Sequence, residues 1–496
     1  MGERIAGRAF TPADHERFAA RCREGLRALD LLLRRPGFGE GPASVGVEVE
    51  IGLIGRGAEP APVNAEVAAA AGDDRLELEL DRFNLEVNSP PAALAGRPFR
   101  ALRAEIEDAI GVIARAGRAH RARPVTIGIL PTLRAEHLGP RAMTDAPRYR
   151  ALNAGLRGLR EGPFRIRIEG EDELLEATWD DVTLEGAATG MHVHLRAAPA
   201  DFAACFNAAQ MAVAPALAVA ANSPVLLERV LWEETRVALF GQAVDDRAPL
   251  WARWLPSRAS FGHGWIARPL DPFAESVALH VPILPVVGGE DPLAVAAAGG
   301  VPELSELRLH HGTVWRWTRA TVAVHGEPHL RVEMRALPAG PTPTDMAANA
   351  AFLTGLTRAL APEADWMARA LPFELARRNF YAAARSGPDA VILWPAERAP
   401  SPRPRTAADL VAELLPPARE ALVAAGVDAA EARELLGVVA ARAASRRTGA
   451  AWQRRALAAA ERGRDRTGAL RAVTEAYAER SAAGRPVHEW DAPERP

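Results

Sequence analysis

The hydrophobic pattern of this chain alternates with a period of two at several separated places. In the first of them, 44–51, valine or isoleucine occupies every second residue. Successive side chains of a strand point to opposite faces, so Glu48 and Glu50 share the other face, roughly 6.6 Å apart along the strand. The pattern therefore predicts a β-strand with one apolar face and one acidic face.

Four further segments repeat this alternation. Their polar positions are Glu77, Glu79 and Asp81; Glu86 and Asn88; His192 and His194; and Arg331, Glu333 and Arg335. If the segments are neighbours in one sheet, their polar faces form one surface of carboxylates, imidazoles and guanidiniums. Such a concentration of carboxylates is costly without counter-ions, so the pattern predicts divalent cations on this surface. For any single strand, a polar face in water is the ordinary alternative.

In this order, the segments resemble a known family. The motifs are G-V-E-V-E-I at 46–51, N-L-E-V-N-S at 84–89, G-M-H-V-H-L at 190–195, N-S-P followed by W-E-E-T-R up to Arg236, and V-E-M-R at 332–335. They are similar to motifs of the glutamate-cysteine ligase family, more narrowly of the branch that contains plant and proteobacterial glutamate-cysteine ligases and bacterial carboxylate-amine ligases. The resemblance extends from about residue 44 to about residue 395.

The resemblance implies an α+β fold, in which a glutamine-synthetase-like antiparallel sheet forms a funnel-shaped active site flanked by helices. It implies a ligase that uses ATP and Mg²⁺ and forms an amide through an acyl phosphate. The expected donor is L-glutamate, activated at its γ-carboxylate, and the expected acceptor is L-cysteine, as in glutathione biosynthesis, or another amine. Nothing in the sequence itself identifies a pocket for a thiol.

The candidate site residues follow from these motifs and from the shared polar face. We expect metal binding by Glu48, Glu50, Glu86, His194 and Glu333, nucleotide binding by His192, His194, Arg319 and Arg331, and catalytic contacts of Arg335 and Arg236 with a substrate carboxylate or phosphate. Near Arg319 the family tends to carry an Arg-Pro step, whereas Ala320 follows here.

Composition limits the chemistry further. The 496 residues carry a net charge of −3, which argues against nucleic acid or an anionic membrane as the main partner. All 60 basic residues are arginine, which excludes a lysine-based P-loop and a Schiff base. Phosphate must be held by arginine, backbone N–H groups or metal. The expected partners are small molecules, and we expect a monomer or a homodimer.

Three features of the sequence indicate a reducing, aqueous compartment. Cys22 and Cys205 support no disulfide framework, and both lie at helical positions typical of core packing. The N-terminus has no apolar run after its charges, so no signal peptide is expected. The alanine-rich stretch 203–221 comes nearest to a membrane span, but polar residues and Pro215 interrupt it. We expect a soluble, cytoplasmic protein.

Helical spacing and turn signals predict the remaining elements. Helices are expected after a cap at Thr11, over 99–113, over 145–162, over 201–240 with a break at 222–224, and from Asp345; strands over 125–130 and, at a solvated edge, over 164–169; and a mobile loop over 285–302. In the second half of the 201–240 helix, a Glu233–Arg236 ion pair on the helix surface is the structural alternative to a catalytic contact of Arg236.

The composition changes after a proline-rich linker at 400–404. Alanine, arginine, leucine and glutamate then repeat in four helical periods. This change predicts a catalytic domain, 1–400, and a C-terminal helical appendage, 401–496, which packs on the catalytic body or mediates association.

Two other functions stay open at this point. Histidines at i and i+2 form half of a zinc site, so His192 and His194 are also compatible with a metal-dependent hydrolase. A non-catalytic nucleotide-binding protein is the second alternative. For Arg331, Glu333 and Arg335, the structural alternative is a cross-strand ladder of ion pairs.

Overall fold

The alternating segments lie side by side in one antiparallel sheet. The computed structural model describes residues 10–396 and 401–491. Its strands are β1 (Ser44–Ile54), β2 (Leu76–Leu78), β3 (Asn84–Asn88), β4 (Ala92–Ala93), β5 (Arg123–Val125), β6 (Phe164–Glu169), β7 (Leu174–Trp179), β8 (Gly190–Ala197), β9 (Val225–Leu226), β10 (Arg229–Val230), β11 (Thr318–Ala323), β12 (His329–Pro338), β13 (Val391–Trp394) and β14 (Arg403–Thr406). Eight of these strands form the main sheet.

Helices cover the apolar side of the main sheet and extend beyond it. They are α1 (Pro12–Leu33), α2 (Asn64–Ala71), α3 (Pro98–Gly117), α4 (Pro147–Arg160), α5 (Phe202–Ala220), α6 (Thr235–Ala243), α7 (Asp271–Leu279), α8 (Pro292–Ala297), α9 (Ser305–Gly312), α10 (Pro343–Leu360), α11 (Ala364–Ala370), α12 (Phe373–Ser386), α13 (Ala407–Ala424), α14 (Ala429–Ser445), α15 (Gly449–Ala460) and α16 (Arg466–Ala482).

The strand order of the main sheet brings the predicted motifs together. The order is β11-β12-β8-β1-β3-β2, and β4 and β5 pair with the ends of β1. In this register Glu48 lies opposite His192, and Glu50 lies opposite Glu86. Residues directly opposite each other in an antiparallel pair share a face of the sheet. The predicted α+β fold with an antiparallel sheet, and its shared polar face, are confirmed.

The other face of the sheet forms the core. Val49, Val193 and Val332 are fully buried and belong to one hydrophobic cluster with α5 and α10. Among the described residues, α5 is the one helix long and apolar enough to cross a membrane, and 89% of its most apolar stretch is buried inside the protein. We therefore interpret α5 as the central core helix.

Both cysteines pack as the sequence predicts. Cys22 lies on α1 and Cys205 on α5, and both are buried. Burial raises the pKa of each thiol to about 12, so neither is a thiolate near neutral pH. At the start of α1, the Thr11 side chain accepts from the backbone N–H of Asp14, which confirms the predicted cap.

The prediction for 201–240 is confirmed over α5 and from Thr235 onward, but it is wrong over 225–234. The helix stops at Ala220, two short strands follow, and α6 begins only at Thr235. Glu233 therefore precedes the helix, and its carboxylate pairs with Arg454 at 2.5 Å. Arg236 pairs instead with the fully buried Glu234 at 3.1 Å. The ion pairs that these buried charges form in the folded protein decide the local structure here, and the helical spacing of the sequence does not.

Three other segments differ from their predictions. The buried strand expected over 125–130 ends at Val125, and a turn follows. The acidic strand that begins at Leu76 ends at Leu78, so Glu79 lies in the turn before β3. A helix, α8, occupies the middle of the segment 285–302, because Asp291 caps its first turn. The predicted edge strand 164–169 is present as β6, with its charged side chains exposed.

The C-terminal helices pack on the rest of the chain. Pro400 lies outside the described residues, and 403–406 form β14, which pairs with β13. The helices α13 and α14 share the main hydrophobic cluster with α5 and α10. The helices α15 and α16 join a second cluster with β5, β6 and α6. The division into a catalytic domain and an appendage stays a prediction.

Candidate active site

Glu48 is the centre of the polar face. One carboxylate oxygen lies 3.0 Å from His192 Nδ1, and the other lies 3.0 Å from His194 Nε2. Burial opposes ionisation of this carboxyl, but the two imidazoles hold the pKa of Glu48 well below its usual range. Burial and the Arg335 guanidinium lower the pKa of His192, so this imidazole is neutral and can act as a ligand.

Glu333 is held as a carboxylate by two arginines. Its side chain is fully buried, and it accepts hydrogen bonds from Arg319 Nε and Nη2, at 2.7 and 2.9 Å, and from Arg335 Nη1, at 2.5 Å. Burial opposes the charge, but the two guanidiniums keep the pKa of Glu333 far below its usual value. The arginines thus compensate one negative charge at this end of the site.

The opposite end of the site carries carboxyls without such compensation. Glu50, Glu79 and Glu86 lie together there. Burial, with the neighbouring carboxylates, raises the pKa of Glu86 to about 8 and the pKa of Glu79 well above its usual range. Asn88 donates to Glu86 at 2.9 Å, and the Gly190 N–H donates to Glu50 at 2.6 Å. Without a cation, Glu79 and Glu86 tend to keep their protons.

The polar face has the donor set of a divalent metal site. Three groups bring their ligand atoms within 4.8 Å of one another: Glu48, Glu86 and His192; Glu48, His194 and Glu333; and Glu50, Glu79 and Glu86. Both ring nitrogens of the buried His194 lack a hydrogen bond, although Nε2 lies close to Glu48. Carboxylate oxygens are the ligands that Mg²⁺ prefers, so the residues present fit this ion.

A cleft opens beside the carboxylates. It encloses about 380 Å³, including its open mouth. Its lining consists of Glu50, Glu185, Ala188, His192, Arg236, Phe240, Trp315, Arg316, Trp317 and Arg335. One side therefore offers charged groups and the other an aromatic wall, in which the Phe240 and Trp315 rings pack edge to face, 6.2 Å between centroids. The cleft suits a small molecule with an anionic group and an apolar surface.

Most residues expected from the sequence come together here. Glu48, Glu50, Glu86, His192, His194, Arg319, Glu333 and Arg335 share the polar face, and Arg236 lines the cleft. Arg331 does not line the cleft. Its Nε donates to the Thr321 hydroxyl at 3.3 Å. Its predicted contact with a nucleotide has no counterpart in the described contacts and stays a prediction.

Two carboxyls of the site are absent from the predicted set. Glu79 belongs to the acidic alternation that begins at Leu76, so the pattern itself contained the signal. Glu185 lies in a turn between β7 and β8, and no periodicity marks it. Burial and the Glu50 carboxylate raise the pKa of Glu185 to about 8.

These raised pKa values predict a stability that depends on pH and on metal. Since the folded pKa values of Glu86 and Glu185 exceed the ordinary 4.5, the free energy of unfolding should fall as pH rises from about 4.5 through about 8. A bound divalent cation offsets this loss, so Mg²⁺ should raise the melting temperature by several degrees at pH 8.5 and by much less at pH 6.

Differential scanning calorimetry with EDTA or Mg²⁺ at both pH values checks this expectation. A Glu86→Gln variant, which lacks one of the titrating carboxyls, should show a weaker dependence on pH. An equal Mg²⁺ effect at both pH values in the unsubstituted protein would contradict it.

The fold is shared with a solved glutamate-cysteine ligase. A glutamate-cysteine ligase from Francisella tularensis, solved in complex with AMP, aligns with 92% of this chain and 91% of its own, at a TM-score of 0.55 and 11% identity. A bifunctional glutathione synthetase from Pasteurella multocida aligns with 92% of this chain and 53% of its own, at a TM-score of 0.47 and 12% identity. No curated protein sequence matches this chain significantly.

The family of the chain, together with its fold, defines a carboxylate-amine ligase. Residues 44–476 match the sequence profile of glutamate-cysteine ligase family 2. The chain belongs to this family, and the resemblance seen in the sequence motifs is confirmed.

Proposed function

We propose that this protein is an ATP-dependent ligase that joins the γ-carboxylate of L-glutamate to the amine of L-cysteine or of another small molecule. The observation that carries the proposal is the cleft itself, in which Arg236 and Arg335 lie beside the carboxylates and imidazoles of the polar face. A metal–nucleotide complex needs the carboxylates and imidazoles, and an anionic substrate needs the arginines.

The polar face would hold Mg²⁺ through Glu48, Glu50, Glu86 and Glu333, with His194 beside them and Glu79 as a further ligand. The chemistry supplied by Mg²⁺ when bound is charge neutralisation on the phosphate oxygens of ATP. Arg319 keeps Glu333 ionised and correctly oriented through its paired hydrogen bonds. ATP and the donor thus meet at the junction between this face and the cleft.

The reaction has two steps. A carboxylate oxygen of the donor attacks the γ-phosphorus, ADP leaves, and an acyl phosphate forms. The acceptor nitrogen then attacks the carbonyl carbon, the C–O bond to phosphate breaks, and the nitrogen loses a proton. Arg236 and Arg335 hold the anionic groups of the donor, and Glu185, with its raised pKa, can take the proton. The aromatic wall excludes water from the acyl phosphate.

A screen for ADP release tests the proposal. Glutamate is incubated with ATP, Mg²⁺ and a panel of amines that includes cysteine and amines with apolar side chains, and mass spectrometry identifies the product. We expect release of ADP and phosphate that depends on the amine, with one amide formed per ADP.

The same screen separates the other functions. Turnover without ATP, together with tightly bound zinc in elemental analysis, would indicate a hydrolase. Nucleotide binding without ADP formation for any amine would indicate a non-catalytic binder. Either result would overturn the proposal.

Arg236 gives a residue-level prediction. Arg236→Ala should raise the KM for the donor carboxylate by about 10- to 100-fold, because a charge-assisted hydrogen bond is lost in a buried place, and should change the KM for ATP far less. Arg229→Ala is the control, since Arg229 lies on nearby β10 with an exposed side chain. Steady-state kinetics with each substrate varied in turn measures both constants. An unchanged KM for the donor would remove Arg236 from the donor site.

A further inference from the structure

A buried chain of hydrogen bonds connects the C-terminal helices to Arg236. In α16, the Tyr477 hydroxyl accepts from Asn222 Nδ2 at 2.8 Å and donates to the Thr126 carbonyl oxygen at 3.0 Å. In α15, Gln453 Nε2 donates to Asn222 Oδ1 at 3.0 Å. Asn222, Gln453 and Tyr477 are all fully buried. The Asn222 side chain is therefore held almost entirely by groups outside its own segment.

Asn222 is connected to Arg236 through the carboxylate of Glu234. Its backbone N–H donates to Glu234 Oε2 at 2.8 Å, and the Ser223 hydroxyl donates to Glu234 Oε1 at 2.7 Å. The same Oε1 accepts from Arg236 Nη1 at 3.1 Å. Glu234 is fully buried, so its carboxylate has few alternatives to these partners.

The side chains of Asn222 and Arg236 are closely packed against backbone. At Gly449, the first residue of α15, a Cβ would overlap Asn222 Oδ1. At Gly190 a Cβ would lie 2.6 Å from Arg236 Nη2, and at Gly128 it would lie 3.1 Å from Arg236 Cδ. The arginine is thus confined by close backbone contacts as well as by its carboxylate.

One donor of the confined arginine remains free. Arg236 is 4% exposed and lines the cleft, and its Nε has no hydrogen-bond partner in the described structure. A buried guanidinium N–H without a partner is costly unless a ligand satisfies it. Because Arg236 lines the cleft, an anionic oxygen of a substrate bound there can pair with its guanidinium.

We infer that Tyr477 and Gln453 are positioning residues for the reaction: through Asn222 and Glu234 they orient Arg236 toward the donor carboxylate. This inference rests on the proposed function in one respect, the identity of the donor as a carboxylate. It gives the C-terminal helices a part in substrate binding, although neither residue touches the cleft. Donor affinity should therefore depend on a hydroxyl contributed by α16.

Tyr477→Phe removes only this hydroxyl and leaves the ring packed on Trp452 and Trp490. The matched control is Thr474→Val on the same helix, because the buried Thr474 hydroxyl donates to the Leu470 carbonyl oxygen of its own helix and has no other hydrogen bond among the described residues. We expect Tyr477→Phe to raise the KM for the donor about 3- to 30-fold, since a small misplacement of a binding group has a large effect, with little change in the KM for ATP. Thr474→Val should change neither constant.

A double-mutant cycle shows whether the effect passes through the arginine. In an Arg236→Ala background, Tyr477→Phe should produce no further increase in the KM for the donor. An equal increase in both backgrounds, or a parallel increase in the KM for ATP, would overturn the inference.

A crystal structure of the Tyr477→Phe protein tests the positioning without any assay. We expect the Arg236 guanidinium to be displaced by about 1 Å or more, or to be disordered, relative to the unsubstituted protein. An unmoved guanidinium would overturn the inference, whether or not any amine supports ADP release. A lack of ADP release with every amine would instead count against the proposed function. If Tyr477→Phe does not fold, Gln453→Met, which removes the Gln453 amide that donates to Asn222, takes its place in both measurements.

Discussion

Glu333→Gln is expected to abolish amine-dependent ADP release, with kcat reduced by about 10³-fold. The substitution keeps the size of the side chain but removes the charge between Arg319 and Arg335. Two buried guanidiniums then lose their counter-charge, and the site loses one carboxylate from the group that contains Glu48 and His194. Removing one partner of a buried ion pair also lowers the free energy of unfolding, by about 3–5 kcal/mol.

The loss of activity can be separated from the loss of stability. Circular dichroism identifies a temperature at which the variant is folded, and kinetics is measured there. Glu327→Gln serves as the control, because Glu327 lies in the same β-hairpin with 81% of its side chain exposed. Glu333→Asp, which restores the charge with a shorter reach, should recover part of the stability. Turnover of Glu333→Gln at the unsubstituted rate would remove Glu333 from the active site.

The second large effect is expected for Glu48→Gln. Glu48 belongs to two of the three candidate metal groups, one with Glu86 and His192 and the other with His194 and Glu333. Loss of its charge should raise the Mg²⁺ concentration needed for half-maximal activity at least about 10- to 100-fold, since even partners outside the ligand set of a metal have effects of this size.

A Mg²⁺ titration of ADP release, compared with Mg²⁺ binding followed by calorimetry, measures this effect. The control is Glu77→Gln, because Glu77 lies on the same sheet but is exposed and belongs to none of the three groups. A normal Mg²⁺ requirement in Glu48→Gln would show that the metal binds elsewhere. Unchanged turnover in both Glu48→Gln and Glu333→Gln would overturn the ligase proposal.

The polar face was predictable because of strand geometry. A period of two places alternate side chains on one face whatever the neighbours are, so Glu48, Glu50, His192, His194 and Glu333 were assigned to polar faces before any pairing was known. The sheet makes these segments neighbours, in the order β11-β12-β8-β1-β3-β2, which the sequence pattern had left only as a condition.

Arg236 shows where local pattern fails. Its spacing from Glu233 suggested an ion pair on a helix surface, yet the helix begins at Thr235 and the carboxylate that holds Arg236 belongs to Glu234. The strength of a buried charge pair exceeds a helical preference of a few tenths of a kcal/mol per residue. Only contacts between distant segments decide such a case.

The sequence alone determined the alternating strands around Glu48, Glu86, His192 and Glu333, their apolar and polar faces and the family, because each of these depends on local periodicity or on short motifs. The tertiary structure decided which carboxyls complete the site, as Glu185 enters it from a turn without any pattern. It also decided that Tyr477 and Gln453, more than 200 residues further along the chain, hold Asn222 behind the cleft. Burial and partner charge, which set both the pKa values and the orientation of these groups, arise only when distant parts of the chain meet.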